Sequence, residues 1–239
     1  CPVQAENGLE NFACDALTKI CTCAVPQITT TYCASNQECM LNDADVSCRL
    51  IANDLAISTF PFGDLFNKNG ITASVVSWRK FSDNSTPTQA KMGGNYLNSI
   101  IATQEAKRNG VDEAILLDQD GNVSEAPGEN IFIVKDGQLI TPSLSSSALE
   151  GITRDAILKI GKDLDIDVIE RDFKRSELLM SEEIFLTGTA AEITPVISMD
   201  SKKIGTGKPG DITKKMMQEY LDIVMNKNID YAHWLTEVY

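Results

Sequence analysis

The chain of 239 residues has no cysteine after Cys48, one histidine (His233) and no surplus of positive charge. Its formal net charge is −13, so phosphate backbones are repelled and a nucleic-acid partner is excluded as an expectation. No apolar run approaches the ~20 residues that span a bilayer. No basic n-region followed by an apolar stretch marks a signal peptide. Internal repeats and low-complexity tracts are absent too. The first residue is Cys1 rather than Met, as in a fragment or a processed form.

All seven cysteines (Cys1, Cys14, Cys21, Cys23, Cys33, Cys39 and Cys48) lie in the first fifth of the chain. An odd set cannot all pair within one molecule. Cys21-Thr-Cys23 and the Cys33–Cys39 spacing lack the C-x2-C of zinc ribbons, and His233 is remote in sequence, so no metal site is expected. A disulfide module with one thiol left over, free thiols in a reducing cytosol, and a segment of separate origin all remain open for residues 1–45.

With 43% hydrophobic residues the chain can bury a real core. Residues 54–63 read as a strand ending at Pro61 and Gly63, and 71–78 as a second strand. Residues 84–91 form a polar loop. Residues 95–110 read as a helix, with Leu97, Ile100 and Ile101 at helical spacing and Gly110 as C-cap. Asp120-Gly121 and Asp136-Gly137 each sit between apolar segments, so 113–126 and 130–142 read as two β-hairpins. Residues 151–166 form an amphipathic helix with Ile152, Ala156, Ile157, Ile160 and Leu164 on one face. Three strands at 167–173, 183–190 and 193–200 and a helix at 210–226 complete an interleaved order. The expected class is α+β.

Three stretches suit one kind of ligand. "QAKMGGNYLNS" sets Lys91 beside Gly93 and Gly94, where a backbone can approach a bound molecule. Gly151-Ile152-Thr153 opens a helix, whose first N–H groups are unpaired and suit a phosphate. Thr187-Gly188-Thr189 ends a strand in a turn flanked by hydroxyls. An aldehyde bearing a phosphate, held as a Schiff base by a lysine, would use all three; pyridoxal 5'-phosphate is such a molecule, and its ring nitrogen needs an acid. "NVSEAPGEN" offers Glu125 and Glu129. Each stretch alone is equally an ordinary turn, strand end or solvated charge.

"STFPFG", "KMGGNYLNS", "EAKRNGVDEAILLD", "NVSEAPGENIFIVKDG", "ALEGITRDAI", "EEIFLTGTAAEITPV" and "PGDITKKM", taken together and in order, resemble the branched-chain amino acid aminotransferases, a group of fold-type IV pyridoxal phosphate enzymes. The resemblance runs from about residue 54 to the end. It implies a large cofactor-binding domain of the D-amino-acid aminotransferase-like fold over 63–239, and an incomplete or divergent small N-terminal domain over 1–62. Carried over by position, Lys91 is the Schiff-base lysine and Glu125 the acid at the ring nitrogen. Ile152, Thr153, Gly188 and Thr189 hold the phosphate. Tyr96 lines the cofactor and substrate site, and Phe62, Thr189 and Ala190 line the substrate side.

The activity so implied is transamination between a branched-chain L-amino acid and 2-oxoglutarate, in amino-acid biosynthesis, by a cytoplasmic homodimer or larger homo-oligomer. Partners are small amino and 2-oxo acids, with no nucleic acid and no membrane, and the cysteines are expected to be mostly free thiols. The alternatives on the same fold are a D-amino-acid aminotransferase and a 4-amino-4-deoxychorismate lyase; a third is a non-catalytic fragment. Residues 1–45 show no such resemblance, and Arg49 is the only arginine before Arg79 that could stand in for the small domain's phosphate contact.

Overall fold

The computed structural model describes residues 65–236, together with the backbone of two short strands, β1 (Phe12–Asp15) and β2 (Ile20–Cys23), paired antiparallel. The expected strand at 54–63, Phe62, Arg49 and the chemistry of the cysteines lie outside the described residues. The chain divides into two units, Cys1–Pro61 and Phe62–Tyr239.

The strands of the second unit are β3 (Ile71–Arg79), β4 (Glu113–Leu117), β5 (Asn130–Lys135), β6 (Gln138–Thr141), β7 (Val168–Glu170), β8 (Glu183–Gly188), β9 (Glu192–Met199) and β10 (Lys202–Lys203). They form one mixed sheet in the order β4-β3-β9-β8-β5-β6-β7, with β10 attached to β9. β3 runs parallel to both neighbours and β6 parallel to β7, while β5, β6, β8 and β9 pair antiparallel in sequence or across β5–β8. The helices are α1 (Tyr96–Arg108), α2 (Ile152–Asp163), the single turn α3 (Arg175–Leu178) and α4 (Asp211–Val224).

The centre of the sheet is apolar on both faces, as a covered strand must be. Along β5 successive side chains alternate. Ile131 and Ile133 join Ile115, Leu117, Ile184 and Leu186 in one cluster, while Phe132 and Val134 join Phe185, Ile157, Ile160 and Met216 beneath α2 and α4. The β5–β6 hairpin turns at Asp136 (φ 51°) and Gly137 (φ 73°), the doubly left-handed turn that an Asp-Gly pair favours.

Three expectations need correction. The segment after Asp120-Gly121 forms no regular second strand; Leu117 bridges to Val123, the Ser124 N–H bonds the Leu116 carbonyl at 3.0 Å and the Leu116 N–H bonds the Glu125 carbonyl at 2.9 Å. Asp118 closes that turn instead, accepting the Asp120 and Asn122 N–H groups at 2.9 and 2.7 Å. On α1, Leu97 and Ile100 are exposed, and the helix lies on β3 and β4 through Ser99, Ala102 and Ala106. Small residues let helix and sheet backbones approach, and the larger apolar ones stay outside. On α2, Ile152 is 78% exposed and leaves the apolar face that Ile157 and Ile160 continue.

Candidate active site

Residues that follow β3, begin β5 and end β8 enclose a cleft. Lys80 and Phe81 enter it directly after β3, where the Lys80 N–H bonds the Leu117 carbonyl at 2.8 Å and prolongs the pairing with β4. The loop beyond Phe81 carries Lys91, fixed on both sides. Gln89 donates to the Ala148 carbonyl at 2.7 Å and accepts the Glu150 N–H at 2.8 Å. Asn95 donates to the Ala90 carbonyl at 3.0 Å and accepts the Thr86 hydroxyl at 3.0 Å. The Lys91 ammonium has no hydrogen bond or ion pair among the described residues, and it lines the cleft with Met92 and Tyr96. Gly93 and Gly94 do not line it; they form a 3-10 turn that faces open space, where a Cβ would meet nothing within 4 Å. The glycines beside the lysine are therefore not the surface against which a ligand in this cleft rests.

Glu125 is 5% exposed, yet its carboxylate is richly bonded. Oε1 pairs with the buried Lys80 ammonium. Oε2 accepts the Asn130 amide at 3.1 Å and the Leu149 N–H at 2.8 Å. A carboxylate offers about four acceptor directions, so one is left, on the oxygen that Lys80 also holds. Asn130 is the hub, since its amide also bonds the Leu149 carbonyl at 2.7 Å. It passes so close to Gly151 that a Cβ there would lie 2.1 Å from Asn130 Oδ1. Gly151 thus has a packing role besides preceding a helix.

At α2 the first intrahelical bond runs from the Asp155 N–H to the Gly151 carbonyl at 2.9 Å. The N–H groups of the turn before it have no helical acceptor, and Ile152 and Thr153 line the cleft. Opposite them β8 ends in Thr187, Gly188 and Thr189, also lining residues. Thr187 is 1% exposed, and its hydroxyl has no hydrogen-bond partner. A buried hydroxyl without a partner is rare and costly, and on a cleft wall it is a donor or acceptor open to a ligand. Glu129 sits beneath that turn, its Cγ 3.5 Å from where a Cβ of Gly188 would stand. Burial first, then the charges of Glu113 and Glu125, push its carboxyl up to about 7. Burial likewise raises Glu113.

Of the residues the sequence singles out, Lys91, Tyr96, Glu125, Ile152, Thr153, Gly188 and Thr189 share this one cleft. Ala190 is exposed on the same turn, one residue past the lining, and Phe62 lies outside the described residues. Sequence reading assigned no role to Lys80, Gln89, Asn95 and Asn130, whereas Thr187 lies in the Thr-Gly-Thr turn it singled out. None of those four stands in a recognisable pattern, and their roles follow from partners 19 to 61 positions away for Asn130, Lys80 and Gln89. A free amine, a clamped carboxylate and two donor-rich walls can hold an aldehyde that carries an oxyanion and a basic ring nitrogen. Pyridoxal 5'-phosphate fits these residues, and the unsatisfied Thr187 hydroxyl and unpaired Lys91 are the observations that speak for it.

The chain belongs to the class IV aminotransferases: the family model for amino-transferase class IV matches residues 15–199. That match takes in residues 15–45, in which inspection of the sequence finds no resemblance. Among curated relatives, a probable branched-chain-amino-acid aminotransferase of Aquifex aeolicus is 49% identical over 188 residues, covering 78% of this chain and 60% of that protein. The branched-chain aminotransferase of Thermoproteus uzoniensis, solved with norvaline, superimposes with a TM-score of 0.75 at 44% identity, covering 81% of this chain and 66% of that one. The branched-chain amino acid aminotransferase of Thermobaculum terrenum, solved in its PLP-bound holo form, gives a TM-score of 0.70 at 37% identity, covering 73% and 57%. The chain spans about three fifths of the length of the curated relatives it matches.

Proposed function

We propose that this chain carries the cofactor-binding part of a pyridoxal phosphate-dependent branched-chain aminotransferase, which exchanges an amino group between a branched-chain L-amino acid and 2-oxoglutarate. The observation that carries the reading is the convergence, in one cleft, of the unpaired Lys91, the clamped Glu125, the start of α2 and the Thr187–Thr189 turn. The relatives' names support the substrate class, and the PLP form of one of them supports the cofactor.

When bound, the cofactor supplies an aldehyde that condenses with amines and a ring that accepts an electron pair. The residues divide the remaining work. Lys91 would hold the aldehyde carbon and, once displaced by the substrate amine, carry a proton to and from the substrate Cα on Nζ. The bonds of Gln89 and Asn95 hold the backbone that carries Lys91 at the cleft. Glu125 would accept the ring N–H through its remaining acceptor direction. The N–H groups of Ile152 and Thr153, with the hydroxyls of Thr187 and Thr189, would hold the phosphate. Tyr96 closes the wall beside Lys91, and Phe62, Thr189 and Ala190 belong to the substrate side. Residues 1–62 correspond to a small domain and 63–239 to the large one. No described helix is long and apolar enough to cross a membrane. A cytoplasmic homodimer or larger homo-oligomer completes the proposal, supported by the exposed Trp78, Leu97 and Ile100.

Borohydride reduction in the presence of pyridoxal 5'-phosphate, followed by peptide mapping, tests it. One label on the peptide containing Lys91, absent from Lys91→Ala, is expected. A single label that persists in Lys91→Ala would remove Lys91 from its role.

A further inference from the structure

The cleft holds a second lysine, and its surroundings differ wholly from those of Lys91. Lys80 is 6% exposed, its ammonium pairs with Glu125, and it lies 5.0 Å from the centre of the Phe81 ring. Burying an ammonium in such a place is costly unless it has a specific partner. Position alone does not require it, because the Asn130 amide and the Leu149 N–H already hold Glu125 by its other oxygen. What neither neutral donor supplies is charge. Glu113 and Glu129 lie near enough for their charges to act on one another, and Glu125 acts on Glu129 as well. Lys107 acts on Glu113. Among the described residues, Lys80 is the one cation in an ion pair with any of these three glutamates.

We propose that Lys80 is a positioning residue for the ring-nitrogen subsite: it acts through Glu125, supplying the counter-charge that lets a buried carboxylate keep its last acceptor direction open toward the cleft. The inference rests on the cofactor reading above. It also explains how two lysines share a cleft without competing for an aldehyde. The amine committed to an ion pair is not free to attack, and the unpaired one is.

Two ligands separate this role from a merely structural one: pyridoxal 5'-phosphate, and its analogue with C–H in place of the ring nitrogen. Both carry the phosphate and the aldehyde, and only the first can meet Glu125. By equilibrium dialysis the parent chain is expected to bind the nitrogen form about ten- to a hundredfold more tightly, as one charge-assisted hydrogen bond provides. Lys80→Met should lose that preference while its affinity for the analogue holds, which also shows that the cleft is intact. Lys80→Arg should keep the preference. Glu125→Gln added to Lys80→Met should change nothing further. If Lys80→Met does not fold, Lys80→Gln, which keeps a donor without the charge, carries the same expectation. A folded Lys80→Met or Lys80→Gln chain that still prefers the nitrogen form overturns the proposal, as does an equal fall for both ligands. A parent that binds neither ligand sinks the cofactor reading and this inference together; a parent and variant that discriminate alike sink the inference alone.

Discussion

At the scale of single residues, the site hangs on contacts that sequence proximity does not announce. Gly151 illustrates this. Read along the chain it is a glycine before a helix. In space it is the gap through which Asn130 reaches both Glu125 and Leu149. Gly151→Ala should therefore drive Asn130 from its bonds and destabilise the chain by about 1–3 kcal/mol, as overpacking does. In an Asn130→Ala background the same substitution should be close to neutral, because the obstructed atom is gone. Urea unfolding of the four chains gives the answer, and equal costs in both backgrounds would refute the contact. Lys91, Glu125 and the two glycine-bearing stretches are legible from the sequence only together, because they stand in order within the long motifs that carry the family resemblance. Lys80, Asn130 and Gln89 are not, since a lysine, an asparagine or a glutamine gains its role only from a partner brought near by the fold.

At the scale of elements, periodicity identifies most of what forms. Strands β3, β8 and β9, the β5–β6 hairpin and helices α1, α2 and α4 all lie where alternation, Asp-Gly turns or helical spacing place them. Two faces are misread for one reason. Apolar spacing reveals a helix but not which side is covered, and α1 docks by its alanines while Leu97 stays out. The second arm expected after Asp120 is irregular: Leu116 still bonds Ser124 and Glu125, but the Val123 N–H turns to the Phe173 carbonyl at 2.8 Å, and Val123 and Ala126 pack into the core. The paired elements at the centre can be tested directly. Phe132 and Phe185 face each other across β5 and β8, fully buried and stacked, with centroids 5.1 Å apart. Phe132→Ala should cost about 3–5 kcal/mol, seen as a lower urea midpoint with an unchanged slope.

For the whole molecule, pH should act on stability through the carboxyls packed at the cleft. Glu129 ionises at about 7 when folded, above the ordinary glutamate value of 4.5. Between those values the unfolded chain has lost the proton and the folded chain keeps it. Stability from this group is thus greatest in acid, falls as pH rises through that window and levels off above about 7. The loss is up to about 3 kcal/mol. Glu113 acts in the same direction, and Asp172 and Glu177, both lowered, act in the opposite direction at more acid pH. Subtracting the Glu129→Gln profile from the parent's removes the contributions of Asp172 and Glu177 and leaves that of Glu129 with its coupling to Glu113. The difference should slope downward from about pH 4.5 to about 7; a flat difference would show that Glu129 is not held protonated by the fold. The register of the sheet also sets the walls of the cleft. Asn130 and Thr187 are direct partners in the β5–β8 register. A slip of β5 by one residue would turn the Asn130 side chain to the opposite face and away from Thr187, unclasping Glu125. On the proposed function, a chain mispaired there would hold pyridoxal phosphate less well, so that cofactor capture during refolding would double as proofreading of the strand alignment.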